Sequence, residues 1–161
     1  MIKILICEDI ERDKLHLHQL LDSFLLANKI SYKIDCIENF DVGSNFFLEY
    51  DLIFLDIELG DYNGIEIASK IRTYNRSSII IITSSFKKYL IDGYKIEAKR
   101  YLIKPIDEKI FNVEMQSVLS TSFKQQYGFF DKKISQYKIH YKDMLYLSLI
   151  HISEPTRLDV I

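Results

Sequence analysis

Side chains able to do phosphate chemistry follow the apolar segments of this 161-residue chain, at the points where predicted strands end. A carboxylate follows a buried-looking strand at Asp56, and an acid pair follows the N-terminal apolar run. Because the carboxyl ends of parallel strands meet at one edge of a sheet, we expect these groups to converge there. The set comprises Glu8, Asp9, Asp56, Thr83 and Lys104.

The chemistry of this set is that of phosphoryl transfer. Three carboxylates placed together repel one another, and oxygen-only ligands favour Mg²⁺ as the neutralising cation. The Asp56 carboxylate can act as a nucleophile and form an aspartyl phosphate, while a metal neutralises charge on the transferred group. The Lys104 ammonium and the Thr83 hydroxyl are expected at the same edge. Together these residue types predict a magnesium-assisted phosphoacceptor site.

The elements that position these groups alternate between strand and helix. This alternation predicts an α/β fold, a five-stranded parallel sheet with helices on both faces in the flavodoxin-like order 2-1-3-4-5. Asp107 is the predicted N-cap of the last helix. A loop is expected between Asp56 and Gly64. The predicted strands are 2–7, 32–37, 51–56, 78–83 and 100–103, and the predicted helices are 10–28, 39–49, 64–74, 86–96 and 107 to about 126.

Composition excludes some classes of function. A net charge of −2 does not favour nucleic-acid binding by the whole chain, and no apolar stretch is long enough to cross a membrane. Cys7 and Cys36 lie in strand-like segments without metal-ligand spacing, which favours a reduced cytoplasmic protein with buried thiols. A disulfide between neighbouring strands is the alternative. His16 and His18 are two apart on a predicted helix and are expected to be solvated, not ligands.

Each residue of the set also has a structural interpretation when it is taken alone. An acid pair at a helix start is favoured by the helix dipole. Thr83 alone is a strand-end hydroxyl, Lys104 a surface lysine and Tyr101 a half-buried core ring. Asp56 differs, because an unpaired carboxylate after a buried strand is costly. The combination at successive strand ends favours function over structure.

Residues 1–125 resemble a response-regulator receiver domain in the order and spacing of Glu8-Asp9, Asp56, Gly64, Thr83 and Lys104-Pro105. The resemblance implies that Asp56 accepts a phosphoryl group and that Thr83 and Lys104 contact its oxygens. It also implies that Tyr101 changes rotamer together with Thr83 and moves inward on activation.

The same resemblance implies a Mg²⁺ site. Its ligands would be Asp9 directly, Glu8 through water, Asp56, and the backbone carbonyl of Glu58. Gly60 departs from the family, which often has proline at this position, and we expect a looser loop there.

The resemblance further implies a two-component response regulator that takes its phosphoryl group from a sensor histidine kinase. It would not be an enzyme beyond self-dephosphorylation, and it would switch a transcriptional output, with dimerisation through the face from the fourth strand to the fifth helix. Two alternatives stay open. One is a pseudo-receiver that binds partners without phosphorylation. The other is a haloacid-dehalogenase-like phosphatase, which requires a second Asp at the position that Glu58 occupies here.

The pattern changes after residue 125. Residues 126–146 resemble the truncated start of a LytTR-type DNA-binding domain, with alternation through Tyr141 and then Asp143-Met144-Leu145-Tyr146. A β-hairpin extension packed on the receiver is the alternative. DNA binding is expected of the full-length protein and not of this fragment. Residues 147–161, beginning LSLIHISEPTR, resemble a translated sequencing adapter and are expected to be an artefactual tail.

Overall fold

The computed structural model of this chain describes residues 1–39 and 46–123. The strands are β1 (Ile2–Cys7), β2 (Tyr32–Ile37), β3 (Leu52–Asp56), β4 (Glu58–Leu59), β5 (Tyr62–Asn63), β6 (Ile79–Ser84) and β7 (Arg100–Ile103). The α-helices are α1 (Glu11–Ala27), α2 (Gly64–Tyr74), α3 (Leu90–Lys95) and α4 (Glu108–Val118). Two 3₁₀ turns, Phe46–Glu49 and Lys87–Tyr89, and a π-helical turn, Leu119–Phe123, complete the order.

Five strands form one parallel sheet in the order β2-β1-β3-β6-β7. In chain order this is the predicted 2-1-3-4-5 arrangement, so the flavodoxin-like fold is confirmed. The central strand β3 is buried along its whole length, as expected where helices cover both faces of a sheet. Its register places Leu55 opposite Cys7 of β1 and Asp56 opposite Thr83 of β6. Those pairings bring the strand-end groups together.

Apolar clusters fill both faces of the sheet. On one face α1 and α4 pack together, and the Phe111 ring lies edge-on to Phe24 with centroids 6.1 Å apart and stacked on Phe54 at 6.3 Å. On the other face α2 contributes Ile67 and Ile71. Helices anchored on both faces leave the carboxyl ends of the strands free to carry polar groups.

The connection from β3 to α2 contains a short antiparallel hairpin that the sequence did not predict. Strands β4 and β5 pair Glu58 with Asn63 and Leu59 with Tyr62. The Gly64 N–H donates to the Ile57 carbonyl at 2.7 Å, and a Cβ built on Gly64 would lie 2.1 Å from the Asp56 carbonyl oxygen. Glycine is therefore required where α2 begins against the end of β3.

Three predicted helices differ from the structure. The described part of the predicted helix 39–49 is a single 3₁₀ turn, anchored by the fully buried Phe47. The predicted helix 86–96 is a 3₁₀ turn followed by the six residues of α3. The buried Gly93 lowers the helix propensity of this segment. A Cβ at this position would lie 3.3 Å from the Tyr101 ring. The last helix is capped by Asp107, as predicted, and its final described turn is π-helical.

Of the two cysteines, only Cys36 differs from its predicted burial. Cys7 is buried, but Cys36 is exposed because it lies on the edge strand β2, and both thiols are free. The prediction that His16 and His18 are solvated fits His18, whose side chain is 39% exposed, better than the part-buried His16. His16 Nε2 lies 2.8 Å from the Ile106 carbonyl oxygen, and His18 Nδ1 lies 3.1 Å from an Asp22 carboxylate oxygen.

The predicted LytTR-like segment, residues 126–146, and the predicted adapter tail, residues 147–161, lie outside the described residues. The domain boundary near residue 125 stays a prediction for the same reason. No helix within residues 1–39 and 46–123 is long and apolar enough to cross a membrane.

Gly60 ties the hairpin to the end of β1 instead of loosening it. Its φ is +57°, in the left-handed region, and its N–H donates to Asp9 Oδ2 at 3.0 Å. Proline could satisfy neither condition, because its φ is fixed near −65° and it has no N–H. The family's frequent residue is thus incompatible with the backbone seen at this position.

We predict a graded loss of stability at Gly60. Gly60→Asn should cost least, because Asn tolerates left-handed φ, and Gly60→Ala should cost about 1 kcal/mol. Gly60→Pro should cost at least about 2 kcal/mol, since it also removes the hydrogen bond to a charged acceptor. Urea unfolding followed by circular dichroism measures the series. Equal stability of the Asn and Pro variants would contradict the assigned backbone.

Candidate functional site

Asp56 and Thr83 lie side by side at the carboxyl edge of the sheet. Asp56 ends β3 and is 3% exposed, and Thr83 is its register partner in β6 at 1%. The Ile57 N–H donates to the Thr83 carbonyl at 3.2 Å and fixes the two strand ends together. The Glu58 N–H donates to Asp56 Oδ1 at 3.2 Å, which orients the carboxylate. The structure therefore brings these two predicted residues together.

Lys104 follows the edge strand β7, and its side chain reaches across β6 to the acids of the central strands. Its Nζ donates to Asp56 Oδ2 at 2.7 Å and forms an ion pair with Glu8 Oε2. The Lys104 N–H donates to the Ser84 carbonyl at 2.8 Å, so the backbone is anchored where the side chain departs. The Lys104–Pro105 peptide bond is cis.

Burial and charge have opposite effects on the pKa values of Glu8 and Lys104. Burial raises the pKa of Glu8 above its usual range, and the hydrogen bond from Lys104 partly opposes that rise. Burial lowers the pKa of Lys104, but the hydrogen bonds to Asp56 and Glu8 outweigh it and the net pKa is raised. The ammonium is thus held charged by the two carboxylates that it neutralises.

The acids Glu8, Asp9 and Asp56 form a group whose carboxylate oxygens lie within 4.8 Å of one another. Glu8 and Asp56 are buried, and Asp9 is exposed and would give a cation access from solvent. The three acids offer carboxylate oxygens, which are hard ligands, and together they carry more negative charge than the Lys104 ammonium neutralises. Both properties fit Mg²⁺. Glu58 is exposed and follows Asp56 by two residues, and the role of its backbone carbonyl stays a prediction.

Tyr101 is the residue that the family resemblance implies moves inward on activation, and its ring is buried in this structure. The ring is 4% exposed, lies against Gly93 and donates its hydroxyl hydrogen to the Phe86 carbonyl. Burial raises its pKa. The aromatic switch position is therefore already occupied by the inward ring here, and its movement stays a prediction.

Sequence reasoning missed Asp13. This residue lies in the first turn of α1, and its Oδ2 is 3.6 Å from Lys104 Nζ. Asp9 precedes the helix, so no helical spacing connected Asp13 to the acid pair, and its partner Lys104 is distant along the chain. Asp13 also lines a cavity of about 490 Å³ between α1 and the β7–α4 connection, bounded by Thr83, Lys104 and Ile106.

Comparisons with known proteins agree with this geometry. The sequence model of the "Response regulator receiver domain" family matches residues 4–115. Sensory transduction protein LytT of Oceanobacillus iheyensis is 39% identical over 88 residues, covering 52% of this chain and 36% of that protein. Sensory transduction protein LytR of Staphylococcus epidermidis is 29% identical over 133 residues, covering 76% of this chain and 52% of that protein. The chain spans about half or less of the length of these relatives.

Solved structures show the same fold. The response regulatory domain of mrkE from Klebsiella pneumoniae matches with a TM-score of 0.63 at 26% identity, covering 78% of this chain and all of that one. Response regulator TrrA of Thermotoga maritima, solved with Mg²⁺ and a beryllium fluoride, matches with a TM-score of 0.57 at 26% identity, covering 74% of this chain and all of that one. On its fold, its strand-end site and these matches, the chain belongs to the response regulator receiver domain family.

Proposed function

We propose that this chain is the phosphoacceptor domain of a LytR/LytT-type regulator and that Asp56 takes a phosphoryl group from a sensor histidine kinase in the cytoplasm. One observation carries the proposal. The Lys104 ammonium lies 2.7 Å from the carboxylate of Asp56, beside Thr83 and within an acid group suited to Mg²⁺. A nucleophile, two phosphoryl contacts and a metal pocket thus share one edge of the sheet.

The transfer follows from the positions of these side chains. A carboxylate oxygen of Asp56 attacks phosphorus, the P–N bond of a phosphohistidine breaks, and the imidazole nitrogen leaves with the electron pair and takes up a proton. Lys104 and Thr83 hold the phosphoryl oxygens. Glu8, Asp9 and Asp56, with the Glu58 carbonyl, would hold Mg²⁺, which would neutralise charge on the transferred group.

The response to phosphorylation would pass from Thr83 to the face formed by β6, α3, β7 and α4. Thr83 precedes the loop whose Phe86 carbonyl receives the Tyr101 hydroxyl. On α3 the side chains of Ile91 and Tyr94 are 71% and 67% exposed and lie three residues apart on one side of the helix. Phosphorylation would re-weight existing conformers of this face and favour a homodimer.

The output of the whole regulator would be transcriptional. Staphylococcus aureus has a similar protein named transcriptional regulatory protein LytR, 33% identical over 114 residues. DNA binding in our proposal belongs to the full-length protein, through a LytTR-type domain that begins in residues 126–146. The receiver domain itself would accept the phosphoryl group.

We predict that acetyl phosphate with Mg²⁺ adds one phosphoryl group to the wild-type chain and none to Asp56→Asn. The amide keeps the shape of the carboxylate but is not a nucleophile toward phosphorus. Intact-protein mass spectrometry measures the added group.

The matched control is Asp61→Asn, which removes an exposed carboxylate from the same hairpin region and should label like the wild type. Equal labelling of Asp56→Asn and wild type would overturn the proposal. Absence of labelling in the wild type, with Mg²⁺-dependent shifts of amide signals near Asp9, would favour the pseudo-receiver alternative. Multiple turnovers of a generic phosphate ester would favour the phosphatase alternative.

We also predict that phosphorylation promotes association through α3. Sedimentation velocity should show a larger dimer fraction after acetyl phosphate treatment than before it. The double substitution Ile91→Glu and Tyr94→Glu should abolish that increase without preventing labelling of Asp56, because it places charge on the exposed apolar side of the helix. The matched control is Leu26→Glu, at a 67% exposed position on α1. An unchanged dimer fraction in the α3 variant would contradict this interface.

A further inference from the structure

The Lys104 ammonium has more acidic neighbours than the phosphoacceptor chemistry requires. Among the described residues, three carboxylates lie within ion-pair distance of its Nζ. Glu8 and Asp56 make close contacts, and Asp13 Oδ2 lies farther away at 3.6 Å. The Asp13 side chain is 14% exposed, so this carboxylate faces the site and not bulk solvent.

Asp13 differs from the other two partners of Lys104 in its relation to the metal pocket. Glu8 and Asp56 belong to the acid group that could hold a cation, together with Asp9. Asp13 does not belong to that group. A metal ion held by Glu8 and Asp56 would therefore compete with the ammonium for the same two carboxylates, and only Asp13 among the three partners would be left to it.

We propose that Asp13 is a positioning residue for Lys104, the carboxylate that keeps the ammonium paired and within reach of Asp56 when Glu8 and Asp56 turn toward a metal ion. This inference rests on the proposed phosphoacceptor function. It adds a residue that neither the sequence motif nor the acid group contains.

The local structure supports this role. Asp13 is fixed in the first turn of α1, where its N–H donates to the Ile10 carbonyl at 3.0 Å. Its other carboxylate oxygen, Oδ1, accepts from Arg12 Nε at 2.9 Å, which leaves Oδ2 directed at Lys104. An acid in the first turn of a helix is stabilised by the helix dipole alone. Asp13 in addition faces the buried ammonium of Lys104.

The test is a calorimetric titration of the full chain with Mg²⁺. Asp13→Asn should weaken Mg²⁺ binding about fivefold, because a displaced ammonium then loses a charged hydrogen-bond partner. The matched control Glu11→Gln removes the same charge from the same helix turn. It should change affinity by less than about twofold, since the Glu11 side chain is 63% exposed and pairs with Lys14. Asp13→Glu should restore most of the affinity.

A double-mutant cycle separates positioning from a general charge effect. In a Lys104→Met background, Asp13→Asn should change Mg²⁺ affinity no more than Glu11→Gln does, because no ammonium needs a partner. Thermal unfolding in EDTA should give the same midpoint for Asp13→Asn and wild type, since the metal-free contact is long.

Two results would overturn the inference while the proposed function stands. One is normal Mg²⁺ binding by Asp13→Asn in a chain whose Asp56 labels normally. The other is an Asp13→Asn effect of equal size with and without Lys104. Failure of the wild type to bind Mg²⁺ or to accept a phosphoryl group would instead overturn the proposed function, and this inference with it.

Discussion

The structure depends on a charge balance at one edge of the sheet. Glu8 and Asp56 are buried side by side, and each would be costly without a cation close by. The Lys104 ammonium contacts both acids, and its own side chain is only 6% exposed. Mutual neutralisation of this kind holds the site together in the absence of a metal. It also leaves the ammonium beside the atom that would receive a phosphoryl group.

The parallel sheet is what makes this arrangement possible. Four of the five strands, β1, β3, β6 and β7, carry functional side chains at or directly after their carboxyl ends. The order β2-β1-β3-β6-β7 places the acids in the middle and the lysine at the rim. Only a long side chain can reach from β7 across β6 to Asp56. Backbone contacts at Gly60 and Gly64 then hold the connection after β3 against the site. The order of the strands therefore determines which functional side chains lie next to one another.

Much of this was accessible from the sequence, because apolar runs bounded by polar residues fix both the strands and the residues that end them. Strand order followed from connection rules, and Asp107 followed from capping preference. The hairpin after Asp56 was not predictable, because its four strand residues carry no alternating pattern. Nor was the left-handed backbone at Gly60, which depends on a contact with Asp9. Asp13 was missed because its partner is distant in sequence.

We infer that Lys104 serves first as the counter-ion of the acids and then as a contact of the phosphoryl group. A crystal structure of the chain with Mg²⁺ and beryllium fluoride tests this most directly. We predict that the beryllium fluoride binds Asp56 and that the metal lies among Glu8, Asp9 and Asp56. The Lys104 Nζ should lie within hydrogen-bonding distance of a fluorine. A structure in which Asp56 carries the beryllium fluoride while the Lys104 side chain points into solvent would rule out this second role of the lysine.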